Sequence, residues 1–132
     1  MRLNQATEFE RKSPLYWLYA AVGFGILLVG LVAVVEPLAA SGLFGVPVSD
    51  ARDITWVRIA GMRDVSIGLV FVAMLLFKER RVAGILVLLT AVIPVSDAFA
   101  AFSAAGMSYQ ALMHGGSALF LAILGILMVK KY

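Results

Sequence analysis

The sequence predicts an all-α protein, an integral membrane bundle of four transmembrane helices. Of the 132 residues, 62% are hydrophobic and 14% are charged, which leaves too little polar surface to cover a soluble domain of this size. The apolar residues form four runs of about 20 residues, the length that crosses the hydrocarbon core of a bilayer. Helices satisfy every backbone polar group in lipid without leaving an open edge.

The four predicted spans cover residues 15–35, 57–77, 82–103 and 109–129. They form one domain over residues 15–132, which follows a cytoplasmic tail of residues 1–14. A signal peptide is the alternative for the first span. Its apolar run is longer than a signal core, and Leu38 stands where cleavage requires a small residue, so we interpret it as a retained helix.

The connection over residues 36–56 is the longest, and it stays apolar although its glycines and Pro47 break regular structure. We expect a loop that lies on the membrane interface or dips into it, in the position of a lid. Ser49 is the expected N-cap of the second span, with Asp50 and Asp53 in the first helical turn.

The positions of lysine and arginine predict that both termini are cytoplasmic. With the N-terminus inside, the outer loops carry Arg52 as their one cation. The inner side carries Arg2, Arg11, Lys12, Lys78, Arg80, Arg81, Lys130 and Lys131. The expected location is a cell membrane with multiple passes, the inner membrane if the source is a bacterium.

Several classes of function are excluded by composition. With no cysteine, the chain has no disulfide, thiolate metal site or cysteine nucleophile, and one histidine argues against a zinc site. The net charge of +3 is explained by the membrane topology, so no nucleic-acid partner is expected.

Ionisable residues of three spans lie at one depth. At 1.5 Å per residue, Arg63 and Asp64 lie roughly 9–11 Å below the outer face, Asp97 roughly 9 Å and His114 roughly 8 Å. Pro94 frees a carbonyl one turn earlier and is expected to kink the third span near Asp97. The sequence therefore predicts one polar layer near the outer leaflet.

Helical spacing predicts a pocket in this layer, between the second, third and fourth spans. Gly61, Asp64 and Gly68 share a face of small residues that lets another helix approach. The first loop would roof the pocket, and Phe71, Leu75 and Leu121 would form its floor. The candidate substrate-binding residues are Glu36, Trp56, Arg58, Gly61, Phe71, Tyr109 and Ser117.

The charges also have a structural interpretation. An unpaired charge in a bilayer costs about 3 kcal/mol, so ion pairs of Arg63 with Asp97, or of Arg58 with Asp64, would serve packing alone. His114 suits either a packing role or a proton shuttle.

Three segments carry a resemblance: "RIAGMRDVSIGL", "PVSDAF" and "HGGSAL". They resemble a small four-helix membrane family of bacteria and fungi that is known as a domain of unknown function and is DoxX-like in architecture. The resemblance implies a compact four-helix bundle and no settled activity. Its motif residues here are Arg58, Gly61, Arg63, Asp64, Asp97 and His114.

Acid-base catalysis is the chemistry that these side chains suit best. The candidate catalytic residues are Arg63, Asp64, Asp97 and His114. One buried aspartate would stay protonated and donate a proton, while the other, beside arginine, would stay charged and accept one. This arrangement resembles, in chemistry only, soluble sites of the limonene-epoxide-hydrolase type.

We therefore expect a membrane enzyme without cofactor or metal that opens an epoxide, by hydrolysis or cyclisation, or isomerises a lipophilic small molecule. The alternative is a small binding or transport protein, or an accessory subunit of a membrane complex, with the charges as structural ion pairs. The expected partners are a lipophilic small molecule and membrane lipid, and a homodimer would suit the transport alternative.

Overall fold

A computed structural model describes residues 9–130 as six helices. The helices are α1 (Pro14–Val35), α2 (Pro37–Phe44), α3 (Ala51–Phe77), α4 (Arg80–Thr90), α5 (Val92–Ala105) and α6 (Tyr109–Val129). Helices α4 and α5 follow each other as one span. The described residues therefore contain four helices long and apolar enough to cross a membrane, which agrees with the predicted fold class.

Helix α3 begins six residues before the apolar run that predicted it. Its N-cap is Asp50, whose carboxylate accepts a hydrogen bond from the Asp53 backbone N–H at 2.9 Å. The prediction of Ser49 as the cap was wrong. Serine and aspartate cap helices about equally well, and the carboxylate adds a favourable interaction with the positive end of the helix dipole.

The first connection contains a helix, α2, where we expected irregular structure. Pro37 is set for a first helical position, and the small and apolar residues after it continue the helix. The helix ends at Gly45, which is left-handed at φ 80°. Ser41 then fixes the exit, since its hydroxyl donates to the Leu38 carbonyl at 2.8 Å and accepts from the Val48 N–H at 3.3 Å.

The third span is interrupted at Ala91, between α4 and α5. Pro94 has no N–H to bond the carbonyl of Thr90, so the regular ladder cannot continue through this turn. The Thr90 hydroxyl instead donates to the Leu86 carbonyl at 2.9 Å. The interruption lies two turns before Asp97 and agrees with the expected effect of the proline.

The bundle consists of two tightly packed helix pairs, α1 with α3 and α4–α5 with α6. The α1–α3 contact is close because glycines face each other: a Cβ on Gly30 would lie 2.8 Å from the Gly61 carbonyl oxygen. The predicted stripe of Gly61, Asp64 and Gly68 is buried in this contact. The two pairs make far fewer contacts with each other than the helices within each pair do.

The apolar core fills the half of the bundle where α1 begins and α6 ends. It is formed by Phe9, Tyr19, Phe71, Ala83, Val87, Ala91, Leu121, Leu124 and Met128. Phe9 belongs to the segment predicted as a tail, yet its side chain is buried and its N–H donates to the Lys78 carbonyl at 2.7 Å. The bundle is thus closed at one end, and its interior space lies towards the other.

Candidate functional site

A cavity of about 460 Å³ lies between the two helix pairs. Three ionisable side chains from three helices line it: Asp64 of α3, Asp97 of α5 and His114 of α6. We call this the first cavity. Its remaining surface is mostly apolar, with contributions from Val22, Ile26, Leu43, Ile93, Phe120 and Leu121. A few polar groups that converge on an apolar cavity are typical of a small-molecule site.

Helix α1 forms a full wall of the first cavity, although we expected only the second, third and fourth spans to do so. Val22, Gly25, Ile26 and Val29 all line it. A Cβ added to Gly25 would meet no atom within 4 Å, so the space reaches the backbone of this helix. An apolar helix without charged residues gives no sequence signal of this role.

Arg63 and Asp64 form an ion pair, with Arg63 Nε 2.9 Å from Asp64 Oδ1. The Asp64 side chain is 10% exposed, whereas that of Arg63 is 44% exposed. The pairings left open from the sequence, Arg63 with Asp97 and Arg58 with Asp64, are replaced by this bond between neighbours. Asp97 still lies within electrostatic range of Arg63, Asp64 and His114.

His114 is buried, with 8% of its surface exposed, and its Nε2 has no hydrogen-bond partner among the described residues. One face of the ring stacks on Phe44, at 6.4 Å between centroids and 17° between planes. Buried polar atoms are usually hydrogen-bonded, so this nitrogen at the cavity wall is available to a group inside the cavity.

A second cavity of about 380 Å³ lies under α2 and the segment that follows it. Polar groups line more of it: Ser41, Asp53, Arg63 and Asp97. The apolar part consists of Phe44, Val46, Val48, Trp56, Val57 and Ala60. Trp56, a candidate substrate-binding residue, lies here and not in the first cavity.

The remaining candidate substrate-binding residues separate into two groups. Ser117 lines the first cavity, and its hydroxyl donates to the Met113 carbonyl at 2.9 Å. The others line neither cavity: Glu36, Arg58, Gly61, Phe71 and Tyr109.

Each of these five residues lies elsewhere in the structure. Glu36 joins α1 to α2, and Gly61 packs on α1. Phe71 stacks on Tyr19 in the core at 4.9 Å between ring centroids. Of the three expected floor residues, Phe71, Leu75 and Leu121, only Leu121 lines the first cavity. Arg58 and Tyr109 are exposed at the bundle surface.

Phe44 is the residue that sequence reasoning missed. It contacts His114 and lines both cavities, and only its place in an apolar connection indicated a buried role. Within residues 9–130, no group of three or more histidine, aspartate and glutamate side chains is arranged to hold a metal ion.

The comparisons with known proteins give a family and no relative of known activity. No curated protein and no solved structure shows significant similarity to the chain. Residues 23–128 match a family described as "Domain of unknown function (DUF4267)". This match covers most of the chain, from within α1 to within the last turn of α6, and includes all three motif segments. The chain therefore belongs to the DUF4267 family.

Proposed function

We propose that the protein is a membrane-embedded enzyme that opens the epoxide of a lipophilic small molecule, by hydrolysis or cyclisation, or isomerises such a molecule. The observation that carries this proposal is the meeting of Asp64, Asp97 and His114 at one mostly apolar cavity of about 460 Å³. Intramembrane ionisable residues usually mark function, and an apolar cavity selects an apolar ligand.

The ion pair supports different roles for the two aspartates. Arg63 Nε contacts Asp64 Oδ1 at 2.9 Å, and we assign Asp64 the role of the general base. No hydrogen bond or ion pair among the described residues holds the half-buried Asp97, so we assign it the role of the acid that donates a proton. His114 lines the same cavity, and we assign its Nε2, which has no hydrogen-bond partner among the described residues, the transfer of a proton between the two carboxyls.

In the proposed epoxide reaction, Asp97 gives its proton to the epoxide oxygen as one carbon–oxygen bond breaks. A water molecule, or a nucleophilic atom of the substrate, forms the new bond to that carbon and gives its proton to Asp64. His114 returns the proton to Asp97. Water as nucleophile produces a diol, and an internal nucleophile produces a ring with one hydroxyl.

Access from the lipid supports an apolar substrate. Helices α1 and α6 make few contacts, and exposed residues of both helices, among them Val29 and Phe120, line the first cavity. A lipophilic molecule can therefore enter from the bilayer without crossing water.

The proposed orientation has both termini in the cytoplasm of a multi-pass cell-membrane protein, since that side then carries most lysines and arginines. The cavities then lie near the outer leaflet.

One observation favours the alternative of a binding, transport or accessory protein. The buried Asp64 has an ion-pair partner within the protein, as a role without catalysis requires, although the pair joins neighbours of one helix and Arg63 is half-exposed. A transport function would call for a homodimer and for uptake that depends on a pH gradient.

The test uses purified protein in proteoliposomes and a panel of lipophilic monoepoxides of increasing size, with limonene oxide among the smallest. We expect turnover of at least one epoxide, and Asp64→Asn and Asp97→Asn should abolish it while remaining folded and monodisperse. Asp50→Asn is the matched control, because asparagine caps a helix as well as aspartate. Loss of thermal stability in both site variants, with no turnover of any epoxide by the wild type, would favour the structural alternative.

A further inference from the structure

The two cavities meet at one place. The residues that line both are Phe44 and Asp97. Arg63 faces the second cavity and its bonded neighbour Asp64 faces the first, so the ion pair also crosses the boundary. Asp97 is therefore the carboxyl that can be reached from both sides.

The second cavity extends from the site to the beginning of α3. Asp53, Trp56, Ala60 and Arg63 all line it and follow one face of the helix. Ten residues of helix span about 15 Å, so this face leads from the polar N-terminal turn down to the level of Asp97. The polar side chains of the second cavity suit water, whereas the first cavity has few polar groups beyond its three ionisable ones.

Phe44 stands between the two spaces in a fixed position. The next residue, Gly45, has φ 80°, and a Cβ there would lie 2.7 Å from the Cβ of Gln110. The start of α6 thus packs closely against the end of α2. The two hydrogen bonds of Ser41, to Leu38 and Val48, also fix the chain on either side of Phe44. The phenyl ring is held against His114.

We infer that the second cavity is a water-filled route from the aqueous phase to Asp97, and that Phe44 keeps this water out of the first cavity. Asp97 then exchanges protons with water on one side and meets a lipophilic molecule on the other. Phe44 decides how much water reaches a molecule in the first cavity. The inference concerns access to the site and holds whichever bond is made there.

The absence of cysteine allows a direct test in the full chain. Single cysteines are placed at Ala60 in the second cavity, at Ser117 in the first cavity and at Leu119 on the outer surface of α6. Each variant is treated in proteoliposomes with a charged, membrane-impermeant methanethiosulfonate. This reagent needs water at the thiol, because the thiolate is the reacting form.

We expect Ala60→Cys to react at least about tenfold faster than Ser117→Cys and Leu119→Cys, since thiolates form in water and not in an apolar space. Equal rates at Ala60→Cys and Leu119→Cys would overturn the water-filled route. Equal rates at Ala60→Cys and Ser117→Cys would overturn the separation of the cavities.

The role of Phe44 is tested by repeating the Ser117→Cys measurement with Phe44→Ala and, as a milder change, with Phe44→Leu. We expect the rate to rise in both, more with alanine. Phe102→Ala, a lipid-facing phenylalanine of α5 that lines neither cavity, is the matched control and should change nothing. No rise with either Phe44 variant in monodisperse protein would show that another group excludes the water. None of these results depends on turnover, so the inference and the proposed enzyme activity fail separately.

Discussion

Arg63 Nε and Asp64 Oδ1 are bonded at 2.9 Å, yet the two side chains face different cavities. Adjacent residues of a helix point about 100° apart, so the long arginine side chain must fold back along the helix surface to reach its neighbour. The half-exposed guanidinium stays on the polar side, and the buried carboxylate stays on the apolar side. The pair thus places a carboxyl group in the wall of a mostly apolar cavity.

Removing the arginine alone is expected to destabilise the bundle. Arg63→Met leaves the buried Asp64 carboxylate unpaired, which should lower the free energy of unfolding by about 1–3 kcal/mol. The double variant with Asp64→Asn removes both charges and should recover most of this loss, as measured by thermal unfolding of the four proteins of a double-mutant cycle. Arg58→Met, on the same helix but outside both cavities, is the control. Unfolding of Arg63→Met at the wild-type temperature would contradict a stabilising pair.

The contact between α1 and α3 is expected to tolerate no extra atom at Gly30. A Cβ there would lie 2.6 Å from the Val65 backbone nitrogen, and backbone cannot move aside cheaply. Gly30→Ala should therefore cost about 1–3 kcal/mol of unfolding free energy, the usual range for overpacking. Gly116→Ala, which meets no atom within 4 Å, should be neutral or slightly stabilising because alanine favours a helix. A Gly30→Ala protein as stable as Gly116→Ala would show that the helices can separate.

Depth along a helix was predictable from the sequence, and side-chain reach was not. The fixed rise of a helix places Asp64, Asp97 and His114 in one layer, and all three do line one cavity. The Arg63–Asp64 bond was missed because helical spacing describes where a side chain starts and not where a long, flexible one ends. Phe71 was expected at the cavity floor, but Tyr19 of α1 takes its ring into the core, and the sequence contains no signal for that partner.

The first connection shows a second kind of limit. Its glycines and Pro47 indicated a break, and Gly45 is indeed left-handed, but Pro37 starts a further helix, α2, directly after α1. The placement of Phe44 over His114 depends on contacts with α6 that lie more than sixty residues away in sequence. A long-range contact of this kind has no local pattern.

The close packing at Gly45 is expected to control the position of Phe44. Gly45→Ala introduces a Cβ 2.7 Å from the Cβ of Gln110 and should displace the end of α2. Gly45→Asn is the matched comparison, because asparagine tolerates the left-handed conformation but brings the same Cβ. If both variants lose similar thermal stability and both make Ser117→Cys label faster, the close approach of Gly45 to Gln110 is what holds Phe44 in place. If Gly45→Asn is instead as stable as the wild type, the stability loss of Gly45→Ala is due to backbone strain alone.

His114 is expected to contribute to activity at the expense of stability. Its Nε2 is buried without a partner, so His114→Phe should raise the free energy of unfolding by about 1 kcal/mol or more, since an unsatisfied buried polar atom costs that much. The new ring can still stack on Phe44. Turnover of an accepted epoxide should be lost, because phenylalanine carries no proton. A clear loss of stability in His114→Phe would instead show that the nitrogen has a structural partner.

The first cavity itself is tested by filling it from α1. Gly25 lines the cavity and has open space beyond its Cα, so Gly25→Leu should place a side chain inside without disturbing the helix packing. Gly116→Leu adds the same atoms to α6 at a site that also has open space but lines neither cavity.

We expect both proteins to fold. Gly25→Leu should reduce turnover of the accepted epoxide by about a hundredfold or more, as expected when a substrate is displaced from its reacting position. Gly116→Leu should retain wild-type turnover. Because the two variants share their chemistry and differ in location, wild-type turnover by a monodisperse Gly25→Leu protein would show that the substrate binds elsewhere.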